Sequence, residues 1–259
     1  MSSMKATALL LVPLFLLAGC SAFFGFNAFK SLDEPPAPSL SDYQGGSSGL
    51  AKLAADLGSP AVVDKLKADS ATTLAVETYL YTNYLSTGPL GSSDKQSAAI
   101  LYSDLYLKTT SGSELVNNMV ASLVTSTQTG NISSLISAII PVDVAGNEAA
   151  FTAMMAGLLQ ANAAYQALGA ETPPYCVPSG MNMGDVAQKA AVAYLIWAVV
   201  DAIESQTVST TPQEAIAQMY LLTSNRANGI GSVSVPDPFS PLNAPLKNIF
   251  DAAGATYPK

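Results

Sequence analysis

Few residues in this chain could perform chemistry, and their spacing narrows the options. Ser92 and Lys95 stand three apart in "SSDK", the S-x-x-K spacing in which a lysine amine takes a serine proton and creates a nucleophile. "GGSSG", Gly45–Gly49, has the G-x-S-x-G spacing of a nucleophile elbow, which needs a strand before it and a helix after it. The sequence contains no histidine, so the usual general base is missing, and so is the commonest metal ligand. S-x-x-K chemistry also calls for S-D-N and K-T-G elements, which the chain lacks. A helix cap at Ser92 or Ser93 accounts for "SSDK" more simply. No catalytic residue, metal ligand or cofactor is therefore expected, and a serine hydrolase using Ser92 and Lys95 stands only as a distant alternative.

Carboxylates and aromatic rings remain. Asp201 and Glu204 are neighbours on one helical face, as the solvated end of an apolar helix would also have them. Asp104 is more informative. It lies in "LYSDLYL", in line with Ile100 and Leu107, so it is either close to a helix end or lines a cavity. Tyr79, Tyr81, Tyr84, Tyr102 and Tyr106 fall on consecutive predicted helices, and Tyr194 shares a face with Trp197. Such a stripe builds a core or, where a cavity exists, an apolar pocket with hydroxyls at its rim. The candidate ligand-binding residues are Tyr79, Tyr102, Asp104, Tyr106 and Trp197.

The elements that must position these residues begin after an apolar start. "MKATALLLVPLFLLAGC" has a basic residue (Lys5), a short apolar stretch and then small residues, the order of an export signal. The stretch is too short for a bilayer and is interrupted by Pro13. Its end, Leu17-Ala18-Gly19-Cys20, resembles the lipobox of bacterial lipoproteins. That resemblance implies cleavage before Cys20, a diacylglycerol on its thiol and an acylated amino terminus carrying chains such as palmitate. Each buried methylene adds about 0.8 kcal/mol to the hold on a membrane. Ser21, in place of Asp, implies sorting to the outer membrane, with the body facing the periplasm.

The domain boundaries read as a signal at 1–19, a lipidated and flexible tether at 20–49, and a helical domain at 50–259. Phe23, Phe24, Phe26 and Phe29 follow the anchor, and "LDEPPAPSLSDYQGGSSG" has the composition of a linker. Lipidation of Cys20 would leave Cys176, in "PPYCVPSG", without an intramolecular partner, and burial among the prolines is expected.

From Leu50 onward the pattern is helical almost throughout. Ser59-Pro60, Ser70, Ser93 (with Gln96 as its capping-box partner), Ser113, Asn147, Gly184 and Thr211-Pro212 mark helix starts, and a short final helix lies near 246–253. Eleven consecutive apolar residues lie between Lys189 and Asp201, the mark of a buried central helix. Only "GSVSV" hints at a strand. The expected fold is all-α, an irregular multi-helix bundle or an array of helical hairpins, with eight to ten helices. In outline it is similar to envelope lipoproteins built of helical hairpins, including those with degenerate tetratricopeptide-like repeats.

Charged residues make up 12% of the chain and the net charge is −8, with Arg226 the only arginine. Nucleic acid is thereby excluded as a partner, because phosphates demand clustered lysine and arginine. The functional expectation is a lipid-anchored, non-enzymatic adaptor or binding component of an envelope complex with an unidentified protein partner. The alternative is a carrier of an apolar or small organic ligand between helices. A cavity of several hundred cubic ångströms would favour the carrier.

Overall fold

The computed structural model describes residues 35–125, 139–206, 211–223 and 243–257. Residues 38–259 make up one compact unit and residues 1–37 another, of which only 35–37 are described. The lipobox, Cys20 and the phenylalanines at 23, 24, 26 and 29 lie outside the described residues. So do most of "NISSLISAII", the "GSVSV" stretch and Arg226.

The described residues contain nine α-helices and no strand, an all-α multi-helix bundle. They are α1 (Ser47–Leu57), α2 (Pro60–Ala68), α3 (Ser70–Leu80), α4 (Ser93–Thr109), α5 (Gly112–Thr125), α6 (Glu148–Gly169), α7 (Met183–Gln206), α8 (Pro212–Thr223) and α9 (Ala244–Ala252). Side-chain caps set several starts. Asp69 accepts from the Thr72 amide at 3.0 Å, Asn147 from Ala150 at 3.1 Å and Asn243 from Leu246 at 2.8 Å. Pro60, with its φ preset for a first turn, opens α2 behind Ser59.

Three starts differ from expectation: α5 begins at Gly112, and Ser113, expected as its cap, lies inside it with a hydroxyl that makes no hydrogen bond among the described residues. Ser92 caps α4, so the third helical position is Lys95 and not Gln96. Gln96 is instead buried and accepts a hydrogen bond from the Cys176 amide at 2.9 Å. The folded body also starts before the expected boundary at 49/50. A 3₁₀ turn at Leu40–Asp42 leads into Tyr43, whose ring is 1% exposed and whose hydroxyl donates to Asp56 at 3.0 Å. Gly49 lies so close to the Tyr43 backbone that a Cβ there would stand 2.1 Å from its carbonyl oxygen. Leu40 and Tyr43 are too few to break a linker composition, yet enough to pin the segment. "GGSSG" is thus the cap and first turn of α1, and no strand precedes it.

The hub is α6, which packs against α4, α5, α7, α8 and α9. Small residues admit these neighbours: a Cβ on Gly157 would meet the Thr110 hydroxyl at 2.8 Å, and one on Gly169 would meet the Pro245 carbonyl oxygen at 2.1 Å. The hairpin of α4 with α5 is present, but α4 makes its broadest contact with α6, so the architecture is a bundle around α6 and not a row of hairpins. By length and composition α7 is apolar enough to cross a membrane, and 61% of its most apolar stretch is buried inside the protein. It is a core helix whose outer side carries Trp197.

Candidate functional site

Three places collect the residues singled out in the sequence. The first is an aromatic cluster on α3 and α4. Tyr102 and Tyr106 are one helical turn apart and meet edge to face, with ring centres at 4.9 Å. The last turn before the 86–91 loop, Tyr81–Leu85, is a π-turn, and it lays Tyr81 6.3 Å from Tyr102. Glu77 is buried beneath these rings, and burial raises its carboxyl above the ordinary range despite a Tyr106 hydroxyl that favours the charged form. Burial also raises the Tyr102 and Tyr106 hydroxyls. Tyr79 stands apart and pairs with Tyr84, with ring centres at 6.0 Å.

The second place is an ion cluster between α4 and α7. Tyr102 and Asp104 are two residues apart, so they leave α4 on opposite sides. Asp104 is 1% exposed in mid-helix, with the Lys189 ammonium donating to Oδ1 at 2.5 Å and Lys108 Nζ at 3.0 Å from Oδ2. Lys189 donates also to Asp185 at 2.8 Å, and Lys108 to the Leu57 carbonyl at 2.6 Å. Burial pulls the Lys189 ammonium toward neutrality, but Asp104 and Asp185 outweigh it and hold the amine above its usual range. These residues line one side of a small cleft of about 220 Å³, closed by Ser179, Gly180 and Met181. Tyr165 is fully buried nearby; desolvation, with Asp104 and Asp185 adding to it, raises its hydroxyl well above the usual range. With its lysines and carboxylates paired to one another, the cluster reads as a bolt between helices.

The third place is a groove of about 530 Å³ between α6, α7, α8 and the start of α9. Its aromatic wall is Trp197 stacked on Tyr194, with centres at 5.4 Å and planes 23° apart. Trp197 is 38% exposed while Tyr194 is buried behind it. Gln160, Asn162 and Gln166 face it from α6, Gln213 from α8, and Asn243 from the cap of α9. Among the described residues, none that lines it is charged. Of the five candidate residues, only Trp197 belongs to this groove and only Asp104 to the smaller cleft. The groove carboxamides escaped the sequence reading. Their signal was the pattern "LLQANAAYQAL", where Leu159, Gln160, Ala163 and Gln166 recur at helical spacing on a helix poor in charge.

Ser92 and Lys95 form no catalytic pair. Ser92 Oγ is engaged at the amide of Lys95, whose ammonium donates to the carbonyls of Thr87 and Pro89, both at 3.1 Å. Neither residue lines the groove or the cleft. Cys176 is exposed, contrary to expectation. Gln96 holds its amide and Ser97 donates to its carbonyl at 3.1 Å, so the backbone is what docks on α4 and the thiol turns outward. Among the described residues no three carboxylates or thiols gather to hold a metal ion. No protein-family model matches the chain, and no curated protein and no solved structure is found to be similar to it.

Proposed function

We propose that this protein is a lipid-anchored, non-enzymatic binding component of a bacterial envelope, held by acyl groups on Cys20 at the outer membrane with its body toward the periplasm. Its helical body takes a small uncharged ligand in the groove between α6, α7 and α8. The observation that supports this reading is the groove itself: several hundred cubic ångströms, an exposed tryptophan on its wall and a ring of carboxamides. Of the two expectations from the sequence, adaptor and carrier, a cavity of this size favours the carrier. The ligand face is Trp197 and the α6 amides, in place of the tyrosines of α3 and α4.

The adaptor reading is supported by a separate feature. Leu74 and Tyr81 are 62% and 51% exposed and lie seven residues apart, on one side of α3 and its final turn. A partner helix could cover such a pair.

One preparation tests both the anchor and the ligand. The full-length chain, expressed in a bacterium and extracted in detergent, is examined by native mass spectrometry. A mass consistent with cleavage before Cys20 and acylation, and a small molecule lost on denaturation, is the expected result. Release of a Cys20→Ser variant into the soluble fraction would accompany it. A bare, unacylated polypeptide would overturn both halves of the reading.

A further inference from the structure

Resting on the ligand-binding reading above, we propose that the groove is a saccharide site, which takes the C–H face of a neutral sugar ring on Trp197 and the ring's hydroxyl or acetamido oxygens on the surrounding carboxamides. Against the described wall, which carries no counter-charge, a charged ligand would be desolvated at a high cost. A wholly apolar ligand would cover the amides of Gln160, Asn162 and Asn243 and leave them unpaired.

Those amides are oriented. The Gln160 oxygen is 3.5 Å from the Tyr102 hydroxyl that donates to it, the Asn162 oxygen is the same distance from Gln166 Nε2, and the Asn243 oxygen caps α9. Their NH₂ groups have no hydrogen-bond partner among the described residues, and neither do the Gln166 oxygen and the Gln213 carboxamide, so the groove offers donors and acceptors side by side. A peptide main chain fixes the direction of each N–H and C=O along its backbone, whereas these amides come from three different helices. A sugar hydroxyl has no such difficulty, since it accepts where it must and turns its proton elsewhere. The exposed indole face supplies the remaining half, because the axial C–H bonds of a sugar ring carry the positive edge that an aromatic face attracts. The Tyr194 ring stacked behind fixes the angle of that face.

Trp197 is the only tryptophan in the chain, so its fluorescence reports on the groove directly. The full-length protein in a polyoxyethylene detergent, free of sugar headgroups, is titrated with neutral hexose and N-acetylhexosamine mono- to tetrasaccharides. Acetyl-trialanine amide and the neutral dye N-phenyl-1-naphthylamine serve as competitors of other classes. A saturable change in Trp197 emission with at least one saccharide is expected. By calorimetry, Trp197→Ala should weaken that binding at least about tenfold, as removal of a central aromatic anchor does. Gln213→Ala, at an exposed position that folding does not need, should weaken it roughly fivefold. Response to the dye or the peptide but to no saccharide overturns the ligand class and leaves the binding reading standing. Response to none of the three, from a protein of unchanged helical circular dichroism, overturns both.

Discussion

The ion cluster at Asp104 and the groove at Trp197 both border α7, yet they use polar groups in opposite ways. At Asp104 two lysines and two carboxylates neutralise one another, and the Lys189 and Lys108 ammonium groups are directed at protein oxygens. At Trp197 the described polar groups are uncharged amides, four of them partly engaged and Gln213 not at all, beside an aromatic face left open. Burial alone would have ranked the cluster first as a functional site. Charge balance separates them: the ions of the cluster face one another, with only Asp104 Oδ2 and the Tyr165 hydroxyl, among its described groups, left without a hydrogen-bond partner and both buried, whereas the groove amides hold idle NH₂ groups beside an open cavity. In a chain with 12% charged residues, the few buried charges lock helices together and neutral groups remain for recognition.

The largest effect expected is at the bolt. Asp104→Ala leaves the Lys189 ammonium, whose side chain is 12% exposed, with Asp185 as its one carboxylate, and should cost about 1.5–3 kcal/mol in urea unfolding. Adding Lys189→Met to an Asp104→Leu background should recover most of that loss, since an apolar pair of similar volume replaces a buried ion pair at little cost. A loss below about 1 kcal/mol for Asp104→Ala would mean that the pair is worth no more than a surface one, and the contrast with the groove would collapse.

Next is Gly169→Ala, which drives a methyl group against the Pro245 carbonyl and must push α9 away from α6. Overpacking of this kind costs about 1–3 kcal/mol. Because α9 carries Asn243 into the groove, ligand affinity should fall along with the melting temperature.

A smaller effect, of opposite sign, is expected at Glu77. Its folded carboxyl titrates above the ordinary value of 4.5 because burial penalises the charge. The native state therefore binds a proton that the unfolded chain has already released. Its stabilising share is present below pH 4.5 and is lost as pH rises through the raised value. Glu77→Gln should raise the melting temperature at pH 7 and leave it nearly unchanged at pH 4. Equal melting shifts at the two pH values would refute this account of Glu77.

The smallest change in stability is expected from Gln213→Ala, within about 0.5 kcal/mol of wild type. Paired with Asp104→Ala it gives the sharpest form of the comparison. One variant should lose ligand and keep its fold, and the other should lose stability first. A stability loss at Gln213 as large as that at Asp104 would show that the groove is held together by the same groups that would bind a ligand.

Much of the bundle was legible from local signals. Signals at Ser70, Asn147 and Pro212 placed helix starts to within a residue or two, because a cap acts through its own first turn and needs no distant partner. Asp104 stood out as a carboxylate on an apolar stripe, but its partner Lys189 is 85 residues away, and nothing in the spacing of either residue announces the other. Tyr43 and Leu40 were lost in a linker-like composition, and nothing in the spacing of Gln160 and Gln166 announces the groove that α7, α8 and α9 close around them.

The sequence by itself determined the helical class, the scarcity of charge and the absence of histidine. Each of these is a property of composition or of a few adjacent residues. Only the tertiary structure decided that α6 is the hub, that Asp104 is bonded across to α7, and that Trp197 faces open space beside amides from three other helices. These depend on which faces meet, and that is settled by close approaches such as Gly157 to Thr110 and Gly169 to Pro245, where the fit of one atom against another selects the neighbour.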